Sequence, residues 1–545
     1  MSQSQRPARS TSRPARSTSR RRVRLLVVVA VLLTVLTIGG QKVALWSGIP
    51  AATKDCVVHP APAPVPSLPP RTPVAPATAP YPGTLTQQGG TVNDASCLNR
   101  TRVYGVVRPR SIADVREALV FAREHDLVVS IAGTQHAMGG QASHPGALVI
   151  DMRGLNAVSV DPDLRTASVQ AGATWHQVLE QVHPVGLSVS TMPGIDVLSV
   201  GGTVSVNAHG LDFRAGSLSS TIRSLRVMLA DGTVHRVDRK HRPELFRSVI
   251  GGYGLFGVVL DVELDLVESE MYQLRSRVID SGDFPEVFER LVEGDDRVRM
   301  SYTHLSTSPK NLLEEAIVYT YERVDAAEPI PSLESRSSDR FGRLVLNLAR
   351  TGRLGQRVKW TAQRDLLPHV RDCTRARNEA LRESEACLVA RNQAMFESLG
   401  LLQNRLTQYT DVLQEYFLPR DRLVEFIDEL RVALGRHDAQ LLNASIRSVH
   451  QEDIALDYAQ GDRFSLVLYL SQEVSDEGSE DMADLTRRLI ASSLDHGGTF
   501  YLPYQQHYTR EQVARAYPGL DDFFATKRRY DPELRFMNSL YARYA

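Results

Sequence analysis

Cysteine is scarce in this chain. Its 545 residues hold four, Cys56, Cys97, Cys373 and Cys387, with no Cys-x-x-Cys and no histidine at zinc-ligand spacing, so no metal centre is expected. Two disulfides and four free thiols both fit that count. Cys56 and Cys97 flank a linker and can close a loop around it. Cys373 and Cys387 can meet only if the chain doubles back, because on one helix they would lie about 21 Å apart. Net charge is also lacking: 63 basic side chains balance 63 acidic ones, and nothing in that total argues for a nucleic-acid partner. Aromatics make up only 7%, while an apolar share of 42% in a chain this long suits two or three folded units with sizeable cores. Long apolar runs are missing with one exception, Leu25 to Gly40.

That exception organises the N-terminus. Residues 1–24 carry eight arginines and no acid, including the tandem Arg6-Pro-Ala-Arg-Ser-Thr-Ser12 and Arg13-Pro-Ala-Arg-Ser-Thr-Ser19. The apolar run, extended to Trp46, reaches about 20 residues, enough for a membrane span over 25–46. Arginines before such a span stay cytoplasmic, which sends the rest of the chain outside as a single-pass protein. A secretory signal is the competing reading, and Ser19-Arg20-Arg21-Arg22-Val23 also resembles a twin-arginine export signal. Residues 47–94 form a Pro/Ala-rich linker, with ten prolines between His59 and Pro82 that favour an extended spacer.

Beyond the linker, short strands alternate with helices in an α+β pattern. Pro109 to Glu124 reads as a helix capped by Ser111, and Thr174 to Val182 as another. Strands are expected at 147–152, 166–171, 222–229, 233–237 and 258–266, with later ones at 411–419, 441–449 and 464–470, while 340–405 is charged and helix-permissive. The apolar run Leu127 to Ile131 leads into Ala132-Gly-Thr-Gln-His-Ala-Met-Gly-Gly-Gln-Ala142, a small-residue turn whose amides can approach a pyrophosphate while His136 reaches a cofactor ring. Gly252-x-Gly254-x-x-Gly257 has the letters of a dinucleotide fingerprint, but a helix precedes it and a strand follows. That is the reverse of the order a phosphate at a helix N-terminus needs, so a Rossmann unit is rejected.

Six segments occur in a familiar order: Gly133 to Ala142, Val149 to Met152, Val200-Gly-Gly-Thr203, His209-Gly210, Leu229-Ala-Asp-Gly232 and Gly251 to Gly257. With the tail Arg529 to Phe536, they resemble the PCMH-type FAD-binding flavoenzymes of the vanillyl-alcohol oxidase family. Within it the likeness is to decaprenylphosphoryl-ribose oxidases and to aldonolactone and alditol oxidases; some cytokinin dehydrogenases share the pattern ending at Ala142. The resemblance implies a two-subdomain FAD-binding domain over 95–270, an α+β substrate cap over 271–500, and a C-terminal segment, 501–545, returning to the FAD domain.

By the same resemblance FAD is held by Gly133, Thr134, Gln135, His136, Ala137, Met138, Gly194, Gly201, Gly202, His209, Gly254, Gly257 and Val258, with His136 as the point of covalent attachment. Ala137 departs from the serine usual after that histidine. A lysine expected near the end of the cap is replaced by Tyr504. Catalytic candidates are therefore Tyr504 with a lowered pKa or His507 as the proton acceptor, and Asn443 to orient a sugar hydroxyl. The implied activity is oxidation of a CH–OH group of a sugar, sugar-1,4-lactone, alditol or polyprenyl-linked sugar, with hydride passing to flavin N5 and on to oxygen or another acceptor. An amine or cytokinin-like dehydrogenase, using Glu415 as base, and a non-catalytic flavin-binding surface protein are the alternatives.

Overall fold

The computed structural model describes residues 80–325, 333, 346–350, 352–366, 388–395 and 408–545. The expected basic tail, the membrane segment and the linker up to residue 79 lie outside these residues, as do Cys56, Cys373 and Cys387. Among the described residues no helix is long and apolar enough to cross a membrane. All of them belong to one unit, Pro50–Ala545, and a new sheet begins with the strand at Met271.

The first sheet has four strands in the order Leu85–Gln88, Gly105–Val107, Leu148–Asp151, Val129–Ala132. Its central strand is buried throughout and runs parallel to both neighbours, as an unbroken apolar run requires. The helix Ile112–Glu124 covers it. Ser111 and Asp114 form its capping box, and Val115, Leu119 and Ala122 make the buried stripe. A second sheet is antiparallel along Val234–Val237, Ile222–Met228, Val258–Glu268, Thr166–Gln170 and Val158–Asp161, with Leu187–Val189 beside the far end of its long strand.

The third sheet has eight antiparallel strands: Leu388–Ala390, Met271–Asp280, Glu315–Val324, Val298–Leu305, Gln440–Val449, Arg463–Glu473, Tyr409–Pro419 and Thr499–Phe500. The first of these is a strand inside the stretch read as helix-permissive. Pairing with Met271–Gln273 overrides its local preference. Helices Leu423–Leu434 and Asp476–Asp495 cover one face. Directly opposed residues share a face, so the register sets Glu415, Val467, Ser445 and His304 in one transverse row. Phe417, Ser465 and Arg447 form the next row, and Leu413, Tyr469 and Asn443 the one on the other side.

The chain end closes back on the first sheet. Phe536 bridges Val129 in parallel, Ser130 Oγ donates to the Met537 carbonyl at 2.7 Å, and the Arg535 guanidinium donates to the carbonyls of Ala122 and Leu127.

Candidate functional site

The turn after Val129–Ala132 is shaped by positions that tolerate no side chain. A Cβ at Gly133 would collide with Ser199 Oγ, and one at Gly139 with the Tyr504 carbonyl oxygen. Gln135 takes a left-handed conformation with φ 56°, and Gly140 another at 75°. Ser199 N donates to Thr134 Oγ1 at 3.1 Å, while Met138 N donates to the Pro503 carbonyl at 2.8 Å. The amides of Gln135, His136 and Ala137 make no hydrogen bond to the described residues, leaving three backbone donors in succession.

His136 Nδ1 is buried and has no partner among the described residues, although the residue as a whole keeps some exposure. Burial lowers its pKa to about 4, against a weaker pull upward from the Thr134 carbonyl, so the imidazole is neutral near pH 7 and keeps a lone pair. The three open amides, the glycine-tight turn and this orphaned nitrogen suit the pyrophosphate and ring of a flavin.

The other expected cofactor residues gather around this turn unevenly. Gly201 and Gly202 lie in the short helix Val200–Ser205; a Cβ on Gly201 would sit 2.7 Å from Ala171 Cβ, and one on Gly202 2.9 Å from Ser199 Oγ. Gly254 faces Ile131, the residue before the turn's strand ends, and Asn538 Nδ2 holds the neighbouring Tyr253 carbonyl at 2.8 Å. Gly257, with φ 147°, and Val258 instead serve the sheet. Gly257 packs on Val227 and Met228, and Val258 pairs with Met228. Gly194 lies against the Arg447 guanidinium, 3.2 Å from where its Cβ would stand.

His209 is the link to the third sheet. Its Nε2 lies 2.5 Å from Glu415 Oε1, and both side chains are almost fully buried. Ser465 Oγ donates to the same carboxylate oxygen, and Tyr504 OH donates to Oε2 at 3.2 Å. Burial pushes the Glu415 carboxyl up, but the charge and hydrogen bond of His209, the Ser465 hydroxyl and the charge of Arg447 more than offset it and hold the group below its ordinary value. His209 Nδ1 is buried without a partner among the described residues, and its ring is enclosed by Phe417, Tyr458 and Tyr501.

Tyr504 is a donor where a proton acceptor was expected. Burial, then the negative charge of Glu415, push its pKa well above the ordinary value, which keeps the hydroxyl protonated and contradicts a lowered pKa. His507 has a buried Nε2 with no partner among the described residues and a pKa lowered to about 4 by burial and by Arg543 and Arg487. Asn443 stands one row from Glu415, with Lys359 Nζ 3.5 Å from its Oδ1. That lysine donates to the Leu442 carbonyl, and burial lowers its pKa to about 7.

Arg447 was not singled out from the sequence. Its Nε is buried with no hydrogen-bond partner among the described residues, and its charge acts on both Glu415 and Tyr504. The available signal was a charged residue at the centre of an apolar strand, Leu441 to Val449, matched by Glu415 in Val412 to Leu418.

Residues 103–238 match the family described as FAD binding domain. The chain is 30% identical over 240 residues to cytokinin dehydrogenase 2 of Arabidopsis thaliana, covering 43% of this chain and 46% of that protein. It is 33% identical over 159 residues to decaprenylphosphoryl-beta-D-ribose oxidase of Mycolicibacterium smegmatis, covering 29% and 35%. To L-gulonolactone oxidase of Mus musculus it is 29% identical over 175 residues, covering 31% and 40%. The match thus spans under half the length of these relatives. Among solved structures, 6-hydroxy-D-nicotine oxidase from Arthrobacter nicotinovorans superposes with a TM-score of 0.58 at 17% identity, covering 85% of this chain and 99% of that one, a likeness of fold.

Proposed function

With residues 103–238 forming an FAD-binding domain, we propose that the chain is an FAD-dependent oxidoreductase that oxidises a CH–OH group of a sugar, sugar lactone, alditol or polyprenyl-linked sugar. The single observation that carries the reading is the Glu415 carboxylate, buried yet kept ionised between the FAD-binding half and the third sheet. When bound, FAD supplies the acceptor for the hydride leaving the carbon. The turn Gly133–Met138 would hold it, and His136, whose buried Nδ1 has no partner among the described residues, would bond to it covalently.

The protein's own part is to take the hydroxyl proton and to orient the substrate. A carboxylate offers about four lone-pair positions. His209 and Ser465 occupy Oε1 and Tyr504 one position on Oε2, which leaves one to receive the proton. Arg447 and Asn443, on the same face of the sheet, supply donors for substrate oxygens. Tyr501 and Tyr458, with Phe417, keep water from the His209 side.

A related reading, oxidation of an amine as in cytokinin-type dehydrogenases, also uses an acidic base. The Arg447 charge beside Glu415 favours the oxygen-rich substrate, because it repels a protonated amine. The two are separated by adding alditols, aldonolactones and adenine-type amines to the oxidised protein without air and following the flavin absorbance. Bleaching by a polyol or lactone supports the proposal. Bleaching by amines alone transfers the chemistry to the second reading, and no bleaching by any of them removes both.

We also place the catalytic part outside the cytoplasm, attached to the membrane through residues 25–46. The arginine-rich tail ahead of that run and a disulfide at Cys97 support this placement. A reporter fused after Pro82 is expected to be active outside the cytoplasm, and activity inside contradicts the topology.

A further inference from the structure

Asn93 to Asn99 form a short loop that the chemistry above does not use. It carries Cys97, which is disulfide-bonded, so four free thiols are excluded; the partner lies outside the described residues. Cys97 holds a left-handed backbone at φ 62°, a conformation a non-glycine residue keeps only when its surroundings enforce it, and its amide donates to the Asp94 carbonyl at 3.0 Å.

Asp94 is buried, and its carboxylate accepts hydrogen bonds from this loop and from the cofactor turn. Ser96 N and Ser96 Oγ donate to Oδ1 at 3.1 and 2.6 Å. Asn99 Nδ2 and Gly140 N donate to Oδ2 at 2.8 and 3.0 Å. The loop then reaches the turn at two more points: Asn99 Nδ2 donates to the Met138 carbonyl at 2.7 Å, and Ala95 N to the Gln135 carbonyl at 3.0 Å. Ser96 ties in two other walls of the site, its carbonyl accepting from Thr410 of the strand that carries Glu415 and its Oγ from Gln505 at 3.0 Å. Gln135, Met138 and Gly140, the three points gripped, frame the open amides at 135–137.

We propose that the loop Asn93–Asn99 is a disulfide-held clamp that positions the cofactor turn, so that opening the Cys97 disulfide loosens the protein's grip on FAD. The inference rests on the reading of that turn as the flavin site. Closing a loop covalently restricts the conformations it can reach, and cutting the link returns that freedom to residues 93–99. Their bonds to the turn are buried, so losing them leaves polar groups without partners beside the cofactor. Cys97 is partly exposed, so a reductant can reach it. Opening consumes two electrons and two protons and yields two thiols; a phosphine supplies the electrons and ends as its oxide, taking the oxygen of water, and a dithiol supplies them by exchange and ends as a disulfide.

The test titrates FAD into His136→Ala protein, where no bond to residue 136 can form, before and after phosphine treatment, with free thiols counted. The clamp predicts a rise in the FAD dissociation constant of about tenfold or more on opening. Asn99→Leu, which removes the grip on Met138 and Asp94 without touching sulfur, should weaken FAD comparably and leave reductant with little further effect. In the unaltered protein the same loosening reads as increased flavin fluorescence. An unchanged constant and unchanged fluorescence, with the thiol count showing the bond open, overturn the clamp alone. A fully oxidised protein that binds no FAD overturns the cofactor assignment, and the clamp with it.

Discussion

Glu415 is a buried carboxylate that three donors keep charged, and its neighbours differ in what they contribute. His209 and Ser465 lower its proton affinity from one oxygen, and Tyr504 does so from the other. Tyr504→Phe should therefore raise the Glu415 pKa and move the acid limb of the kcat/KM profile to higher pH, because one hydrogen bond to the charged form is gone. In the unaltered protein that limb should lie below the ordinary carboxylate range, with activity falling as pH drops through the Glu415 pKa. An unmoved limb in Tyr504→Phe would show that Glu415 is not the titrating base. His136 makes a separate prediction at this scale: acid-precipitated protein should keep its yellow colour, and His136→Ala should release the flavin to the supernatant. Free flavin from the unaltered protein would remove the covalent bond while leaving the turn as its binding site.

Among the elements, the turn was legible in the sequence because its chemistry is local. Gly133 and Gly139 are glycines because backbone and side chain of other segments press on them, and a glycine cluster after an apolar run advertises such crowding. Gly139→Ala should displace the Tyr504 carbonyl and cost most of the bound FAD, read as the ratio of flavin to protein absorbance; full retention would mean the turn tolerates the side chain. The strands bearing Glu415 and Arg447 were legible as strands, since both are apolar runs of the right length. Their partners were not. Glu415 meets His209 across 206 positions and Tyr504 across 89, and no spacing in one chain encodes which distant residues a sheet will bring together. Tyr504 was expected to have a lowered pKa, and its pKa is raised instead, by burial first and then by the charge of that same distant glutamate. The Cys97 loop escaped notice for a related reason. Its importance lies in its hydrogen bonds with Gly140, Met138 and Gln135, none of which its composition reveals.

At the scale of the whole molecule, the third sheet lays its polar row over the FAD-binding half, and residues 535–538 return to the first strand of the site. Burial of His136 and His507 gives the assembly a pH signature. In the unfolded chain these imidazoles take up a proton near pH 6.5, while in the folded one they do so only near pH 4. Between those values the unfolded state binds more protons, so stability should fall as pH drops from about 6.5 and level off near 4. Thermal unfolding at stepped pH should show that decline, and His507→Phe should flatten it; a slope identical to that of the unaltered protein would place the decline elsewhere. The account stands or falls on a base in the third sheet serving a flavin in the first half. The most direct measurement is the rate at which a bleaching polyol or lactone reduces bound flavin in the absence of air, compared between the unaltered protein and Glu415→Gln. The account predicts that the variant keeps its FAD and bleaches about 10² to 10⁴ times more slowly, and equal rates in the two proteins would contradict it.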